Sequence, residues 1–376
     1  MSKIINFLQL FADAGTLVNA TTQYVNAYTG AGTAFDQNNS FAGELKVFYD
    51  TELLENSRME RVYSQFAKKQ ALPANHGETV EWRKFNTFAK AGKLTEGVIP
   101  TGQKFGMTSK TGTIFQMGTY VALSDKIQTR AYDPVVTEAV HEMSASMNET
   151  QETLIRDALL VNTNVLYCDN VTVATGAVAG TPTSPATMED STTAKCYLTD
   201  KMVNKIATIM KKHKVPKIGG KYVAVIHPSV AEDLRNCNGW IEAHKYSEAT
   251  EIFNGEIGEL HGIRFIENPD APVLGGDTYK NKANGMTYAT FVFGKDSFGI
   301  IDPEQGGAET IIKSKDEVGG PLNQFSTVGY KFETNGATIL YPERVLRVMS
   351  CSSYSATDDT NYDNTFLPTE AYPKVS

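Results

Sequence analysis

With 376 residues, 41% of them apolar, the chain is long enough for two or three domains with real hydrophobic cores. Its net charge of −8 and pI of about 5.4 exclude a protein whose main work is to neutralise phosphates, because that work needs clustered Lys and Arg. Cys168, Cys196, Cys237 and Cys351 stand far apart with no CxxC pair, so they read as free thiols in a reducing cytosol, not as zinc ligands or a secreted disulfide framework.

The chain opens "IINFLQLFADAG", residues 4–15. Its apolar run is interrupted by a glutamine and closed by Asp13, too short for the h-region of a signal peptide and far too short for a membrane span. Two readings stay open: an arm segment that docks on a partner, or a peptide that is read and removed. Residues 13–42, rich in Gly, Ala, Thr and Asn, have no helical or strand period and read as an extended arm. From Glu44 to Phe66, apolar residues recur at three- and four-residue steps, a helical pattern broken near Asn56.

"ETVEWRKF" alternates Val80 and Trp82 with Glu81 and Arg83, the period of a half-buried strand, and "TGTIFQMGTYVALSD" reads as another strand or a pair. Residues 90–110 between them hold four glycines and four lysines against one glutamate; a connection that long is either functional or loose. Asp133 and Pro134 then stand where an N-cap and a first helical residue belong. Val136, Val140, Met143, Met147, Leu154, Ala158 and Val161 share a face over 134–161, with Glu142, Glu149, Glu152 and Arg156 largely elsewhere. That predicts a helix of about 28 residues, roughly 42 Å long.

Residues 168–196 read as a weakly structured Thr/Ala/Gly/Pro-rich linker. A helix capped by Thr199 or Asp200 follows, ending before Pro216, then a buried strand "YVAVI", a turn at His227–Pro228 and a helix capped by Ser229. Strands dominate afterwards, in "GIRFIE", "TYATFVFG", "FGIID", "ETIIKS", "STVGYKFE" and "RVLRVMS", and the polar tail after Ser350 reads as loosely held.

No catalytic, cofactor-binding or metal motif is present. The sequence holds no GxSxG elbow, Walker loop, HExxH or dinucleotide fingerprint. The six histidines lack the short paired spacings of zinc ligands, and the "KKHK" of 211–214 reads as a solvated helix end that complements the dipole. No cofactor and no enzymatic activity are expected.

The ordered set "GETVEWRKF", "LTEGVIPTGQK", "YVALSDKIQ", "YDPVVTEA", "YVAVIHPSVAEDLR", "IFNGEIGELHGIRFIE" and "GGPLNQFSTVGYKF" resembles the tailed-bacteriophage major capsid proteins of the Hong Kong-97 fold, most nearly those of the coliphage N-four type. The resemblance implies an α+β fold. Residues 1–75 would be an N-terminal arm and 76–122 an extended two-stranded loop. Residues 123–196 would form a peripheral domain around the spine helix 134–161. Residues 197–345 would be mainly an axial domain, with strands returning to the peripheral domain, and 346–376 a C-terminal strand and tail.

The implied function is a self-assembling icosahedral head shell of hexamers and pentamers around double-stranded DNA, built in the bacterial cytoplasm and found in the virion capsid. Its partners would be itself, a portal and a separate scaffold or maturation protein; the DNA would be near without sequence-specific binding, and no membrane is involved. Trp82, Phe85, Phe88 and Phe105 are the expected apolar contacts of the loop with a neighbouring subunit, and Lys90, Lys93 and Lys104 its charged tip. "FLQLFA" resembles a short peptide that a host cysteine protease removes from some capsid proteins, which puts the processing bond at Ala12–Asp13. Some relatives form lysine–asparagine cross-links; the match of Asn335 to that pattern is not residue-specific. The alternative of the same fold is an encapsulin-like compartment shell.

Overall fold

The structure, a computed structural model, describes residues 61–74, 77–97, 99, 101–130, 134–240, 256–276, 278–304, 307–318 and 324–361. The readings made above for residues 1–60, Ala12–Asp13 among them, and for His76, Asp133, His244 and residues 362–376 lie outside this set. The described residues belong to one unit, Arg58–Ser376.

The first part of the chain supplies β1 (Lys68–Leu72), β2 (Thr79–Phe85), β3 (Met107–Thr113), β4 (Phe115–Ser124), the short α1 (Asp125–Arg130) and the long α2 (Val135–Leu160). Then come β5 (Val165–Tyr167), β6 (Asn170–Thr172), β7 (Val178–Gly180), β8 (Ala194–Lys195), α3 (Asp200–Lys212), β9 (Tyr222–Ile226) and α4 (Pro228–Arg235). The rest is mostly strand: β10 (Glu256–Leu260), β11 (Ile263–Glu267), β12 (Val273–Leu274), β13 (Thr287–Phe293), β14 (Phe298–Pro303) and β15 (Glu309–Lys313), followed by the one-turn α5 (Lys315–Val318), β16 (Phe325–Thr334), β17 (Thr338–Ile339) and β18 (Val345–Ser350).

β9 and β13 are buried at every position, which is why "YVAVI" and "TYATFVF" read as runs and not as alternations: both faces of each strand are covered. They lie at the centre of a seven-stranded mixed sheet ordered β10-β11-β9-β13-β18-β5, with β12 added on β13. β9 runs parallel to β11 and antiparallel to β13, and β18 antiparallel to β13 and parallel to β5. Met202, Val203, Ile206, Ala207 and Met210 of α3, at helical spacing, join the core of this sheet. A second, smaller core forms where Val135, Val136, Ala139, Val140, Met143 and Met147 of α2 pack on Leu123, Val328, Tyr330 and Phe332 of the sheet β15-β16-β4. One helix therefore serves two cores, because its far end contributes Ile155, Leu159 and Leu160 to the first.

Several local expectations change. α2 begins at Val135, with Pro134 in the cap position, and ends at Leu160. Glu152 and Arg156 do not face solvent: both are buried, because the chain around Tyr63 covers that flank of the helix. There the Glu152 carboxylate accepts the Tyr63 and Ser64 N–H groups at 2.9 and 3.3 Å. It thereby satisfies donors at the start of the 3-10 turn Tyr63–Phe66 that no intrahelical carbonyl can reach. The Tyr63 ring inserts edge-on against Phe291 and Phe293, and burial pushes its phenol pKa up.

α4 is capped by His227, not by Ser229. Its Nδ1 accepts the Ser229 N–H at 3.2 Å, and Pro228 is the first helical residue, as suits a position with no free N–H to lose. The region 168–196 is not a loose linker: β6 pairs with β7 and β8, and Cys168, Met188 and Cys196 are buried in the main core. The tail is fixed as far as Asn361. Ser352 and Ser353 donate to Asp233, both at 2.7 Å, Tyr354 donates to Glu232 at 2.7 Å, and Tyr288 donates to Asp358 at 2.6 Å. Asn361 donates to the Ala271 carbonyl at 2.9 Å. Asn335 is occupied within the chain, accepting the Ile301 N–H at 2.9 Å and donating to Thr338 Oγ1 at 3.1 Å.

Candidate assembly surface

β2 and β3 form an antiparallel pair from Thr79↔Thr113 to Phe85↔Met107. Its root is seated by Trp82. A Cβ at Gly112 or at Gly299 of β14 would come within 2.9 Å of the indole, so glycine at both positions leaves room for the ring. Trp82 thus anchors the hairpin to its own subunit. Beside it opens a cleft of about 420 Å³ lined by Lys68, Lys84, Lys110, Tyr341 and Glu343 among others. Its Lys84 ammonium lies 4.6 Å from the centre of the Tyr341 ring, which the Arg344 guanidinium also approaches, at 3.7 Å.

Beyond the ladder the chain is irregular but tied: Asn86 N–H donates to Gly106 O, Thr108 Oγ1 to Asn86 Oδ1 and Gln103 Nε2 to Ala89 O, at 2.9–3.1 Å. These bonds bring Phe85, Phe88 and Phe105 into one stack, with centroids 4.7 Å apart for Phe85–Phe105 and 5.4 Å for Phe88–Phe105. The stack is not buried by its own chain, since the three rings are 61, 55 and 62% exposed. Leu94, Ile99 and Met107 in the same segment are also exposed. Covering the open parts of three phenyl rings is worth several kcal/mol, on the order of 25 cal/mol per Å², and a contiguous exposed patch of this kind marks an interaction surface. Lys90, Lys93 and Lys104 are exposed around it, and no ion pair among the described residues uses them.

The structure thus brings six of the seven residues singled out in the sequence to one exposed segment, with Trp82 apart at its root. Sequence reasoning missed a second exposed apolar area, Tyr120 and Phe325 on β4 and β16, 71 and 54% exposed. Tyr120 pairs with Gly329, and Phe325 lies on the same face of the ladder, the face opposite the one that packs on α2. Alternation in "MGTYVALS" and "FSTVGYKFE" reveals two faces but not which of them the helix covers. Among the described residues, no three His, Cys, Asp or Glu side chains converge as metal ligands, and no helix is long and apolar enough to cross a membrane.

The arrangement is a hairpin with exposed aromatic rings on a two-core body. A family model described as phage capsid protein matches residues 108–333, more than half of the chain. The chain belongs to the phage capsid protein family.

No curated protein sequence matches it, but solved capsid structures share its fold. The capsid of cyanophage P-SCSP1u superposes with a TM-score of 0.58 at 14% identity, covering 89% of this chain and all of the other. The acid-stable capsid of Helicobacter pylori bacteriophage KHP30 gives 0.61 at 11%, over 85 and 99%, and that of Ralstonia phage GP4 gives 0.54 at 13%, over 84 and 96%. This capsid protein therefore has the α+β fold of tailed-phage major capsid proteins and is a component of the virion shell, associating with itself. The compartment-shell alternative is not favoured, since the matches are to phage capsids. The kinship reaches the family and the fold; the coliphage N-four type remains a resemblance of segments.

Proposed function

We propose that this capsid protein builds the icosahedral head of a tailed bacteriophage, assembling as hexamers and pentamers around double-stranded DNA in the cytoplasm of the bacterial host. The observation that carries this reading is the aromatic stack of Phe85, Phe88 and Phe105, more than half exposed on a hairpin seated through Trp82. The segment 76–122 acts as the extended loop, overlapping an adjacent subunit. Apolar burial at the stack supplies the association energy, and Lys90, Lys93 and Lys104 choose an acidic surface on the neighbour. The α2 region, 123–196, serves as the peripheral domain with 134–161 as its spine, and 197–345 mainly as the axial domain, with strands returning to the peripheral one. Residues 1–75 act as the arm, and 346–376 as the C-terminal strand and tail. A portal and a scaffold or maturation protein complete the assembly, and the acidic balance of the chain keeps the packaged DNA from binding tightly.

Electron microscopy of the purified protein tests this. Closed shells or ring-shaped capsomers are expected, and a monomer or dimer that persists at high concentration would overturn the reading. Intact mass of the particles decides the fate of the N-terminus separately: cleavage at Ala12–Asp13 removes the first twelve residues, whereas full length assigns them to the arm.

A further inference from the structure

The cleft beside Trp82 has a charge balance that the aromatic stack does not explain. Four cations and two carboxylates line it: Lys68, Arg83, Lys84 and Lys110 against Glu81 and Glu343. Arg83 is paired with Glu81 at 3.0 Å and Lys84 with Glu343 at 3.7 Å, which occupies both carboxylates. Lys68 and Lys110 are exposed, and no ion pair among the described residues uses either. The strand register places both near the indole: Lys110 is the cross-strand partner of Trp82, and Lys68 that of Gly299, beside which the ring lies. Lys84, two residues beyond Trp82 on β2, joins Lys110 on that face of the hairpin. The imbalance is larger on the scale of the chain. Residues 68–113 hold eight Lys and Arg against three Glu, a net charge of +5, so the remainder of the chain, whose total is −8, carries −13. The hairpin segment is a basic element on an acidic protein, and a concave site of one sign with low-dielectric walls draws counter-charge into it.

We propose that this cleft is a second contact between copies of the chain, receiving carboxylate side chains from the acidic body of a neighbouring subunit at Lys68 and Lys110. The contact presupposes the assembly reading above and adds to it, since it lies at the root of the hairpin, apart from the stack and from Lys90, Lys93 and Lys104. The occupant is a second copy because the charge that complements the cleft is the −13 that the same chain carries elsewhere. Every subunit thus brings both halves of the contact, a basic patch on one side and an acidic body on the other. A head-to-tail arrangement of this kind closes into a ring when the rotation between copies allows it. Exposed ion pairs hold weakly, so the cleft steers the approach and selects which face docks, while apolar burial at the stack holds the neighbours together.

The test assembles shells from an equimolar mixture of heavy-nitrogen-labelled and unlabelled full-length protein. A water-soluble carbodiimide then joins lysines to carboxylates that touch them, and the digest is mapped by mass spectrometry. Mixed heavy–light peptide pairs that link Lys68 or Lys110 to an Asp or Glu are expected, because only a contact between copies mixes the labels. Lys84 and Glu343, 3.7 Å apart in one subunit, should link unmixed and serve as the within-chain control. Shells in which Lys68 and Lys110 give unmixed links or none overturn the proposal and leave the assembly reading standing, whereas protein that forms no shells overturns both. Protection of the two lysines from acetic anhydride in DNA-filled heads but not in empty shells assigns the cleft to phosphates and also overturns the proposal. Lys68→Gln combined with Lys110→Gln should slow assembly about tenfold or more at low salt and flatten its salt dependence, with the urea midpoint of the subunit unchanged. Assembly of that variant at the wild-type rate would count against the cleft in the same way.

Discussion

β13 and β2 are both seven-residue strands with antiparallel partners, yet β13 is buried along its whole length and β2 is exposed at five of its seven positions. Between "TYATFVF" and "TVEWRKF" the difference is not one of strand propensity, since both carry aromatic and β-branched residues. What differs is who covers them. β13 has strands on either side and apolar side chains of the same subunit above and below. The hairpin of β2 and β3 has one seated indole at its root and, beyond it, three stacked rings that the described residues leave more than half exposed. The core strand is stabilised by folding; the hairpin holds its apolar surface in reserve for association.

The sharpest break of that comparison is a pair of truncations. Phe293→Ala removes a ring packed against Tyr63, Phe66, Phe291 and Phe298 and should cost the unassembled subunit about 3–5 kcal/mol in urea unfolding. Phe105→Ala should cost about 1 kcal/mol or less in the same measurement while suppressing shell formation by light scattering. Equal losses in both assays would erase the distinction.

A smaller effect tests the join between the core and the chain that precedes β1. Glu152→Ala leaves the buried Tyr63 and Ser64 N–H groups without their acceptor and should cost about 1–3 kcal/mol; Glu152→Gln, which keeps an acceptor oxygen, should lose less. Smaller again is a pH effect confined to the core side. Burial holds the His227 imidazole below its usual range, with Asp358 acting in the opposite direction. The unfolded chain then binds the proton more readily than the folded one. The neutral cap therefore contributes fully above about pH 6.5, the unfolded value, and its contribution is lost as pH falls through the folded value. Urea midpoints at several pH values should show this fall, and His227→Asn, which keeps a capping oxygen, should flatten that part of the profile. Smallest for the subunit itself is the triple change Lys90→Ala, Lys93→Ala, Lys104→Ala: stability should stay within about 0.5 kcal/mol, while the salt dependence of the assembly rate weakens. An unchanged salt dependence would remove the lysines from the recognition step.

The long helix was legible because Pro134 and a sustained 3.6-residue period agree, and β9, β13, β16 and β18 were legible as short apolar or alternating runs. Glu152 was not, since a carboxylate on the polar flank of a helix reads as solvated until the distant chain around Tyr63 is known to cover it. His227 was passed over as a cap because Ser229 is the more familiar acceptor, and the order in β6–β8 was hidden by a composition that usually means a linker. At the assembly surface, the aromatic residues of the loop could be named from the sequence. Their stacking could not, because it depends on hydrogen bonds across an irregular segment, from Asn86 to Gly106 and Thr108.

Because α2 is gripped by both cores, it works as a strut. Met143 in the smaller core and Ile155 in the larger one are about 18 Å apart along one hydrogen-bonded rod at 1.5 Å per residue. A load applied to the sheet β15-β16-β4 reaches the seven-stranded sheet through that rod and not through a compliant loop, and tightly packed side chains at both grips leave little slack. Stress on the subunit is thus passed between these two sheets with little change in either, and the compliance is left to the hairpin, which has no rod behind it.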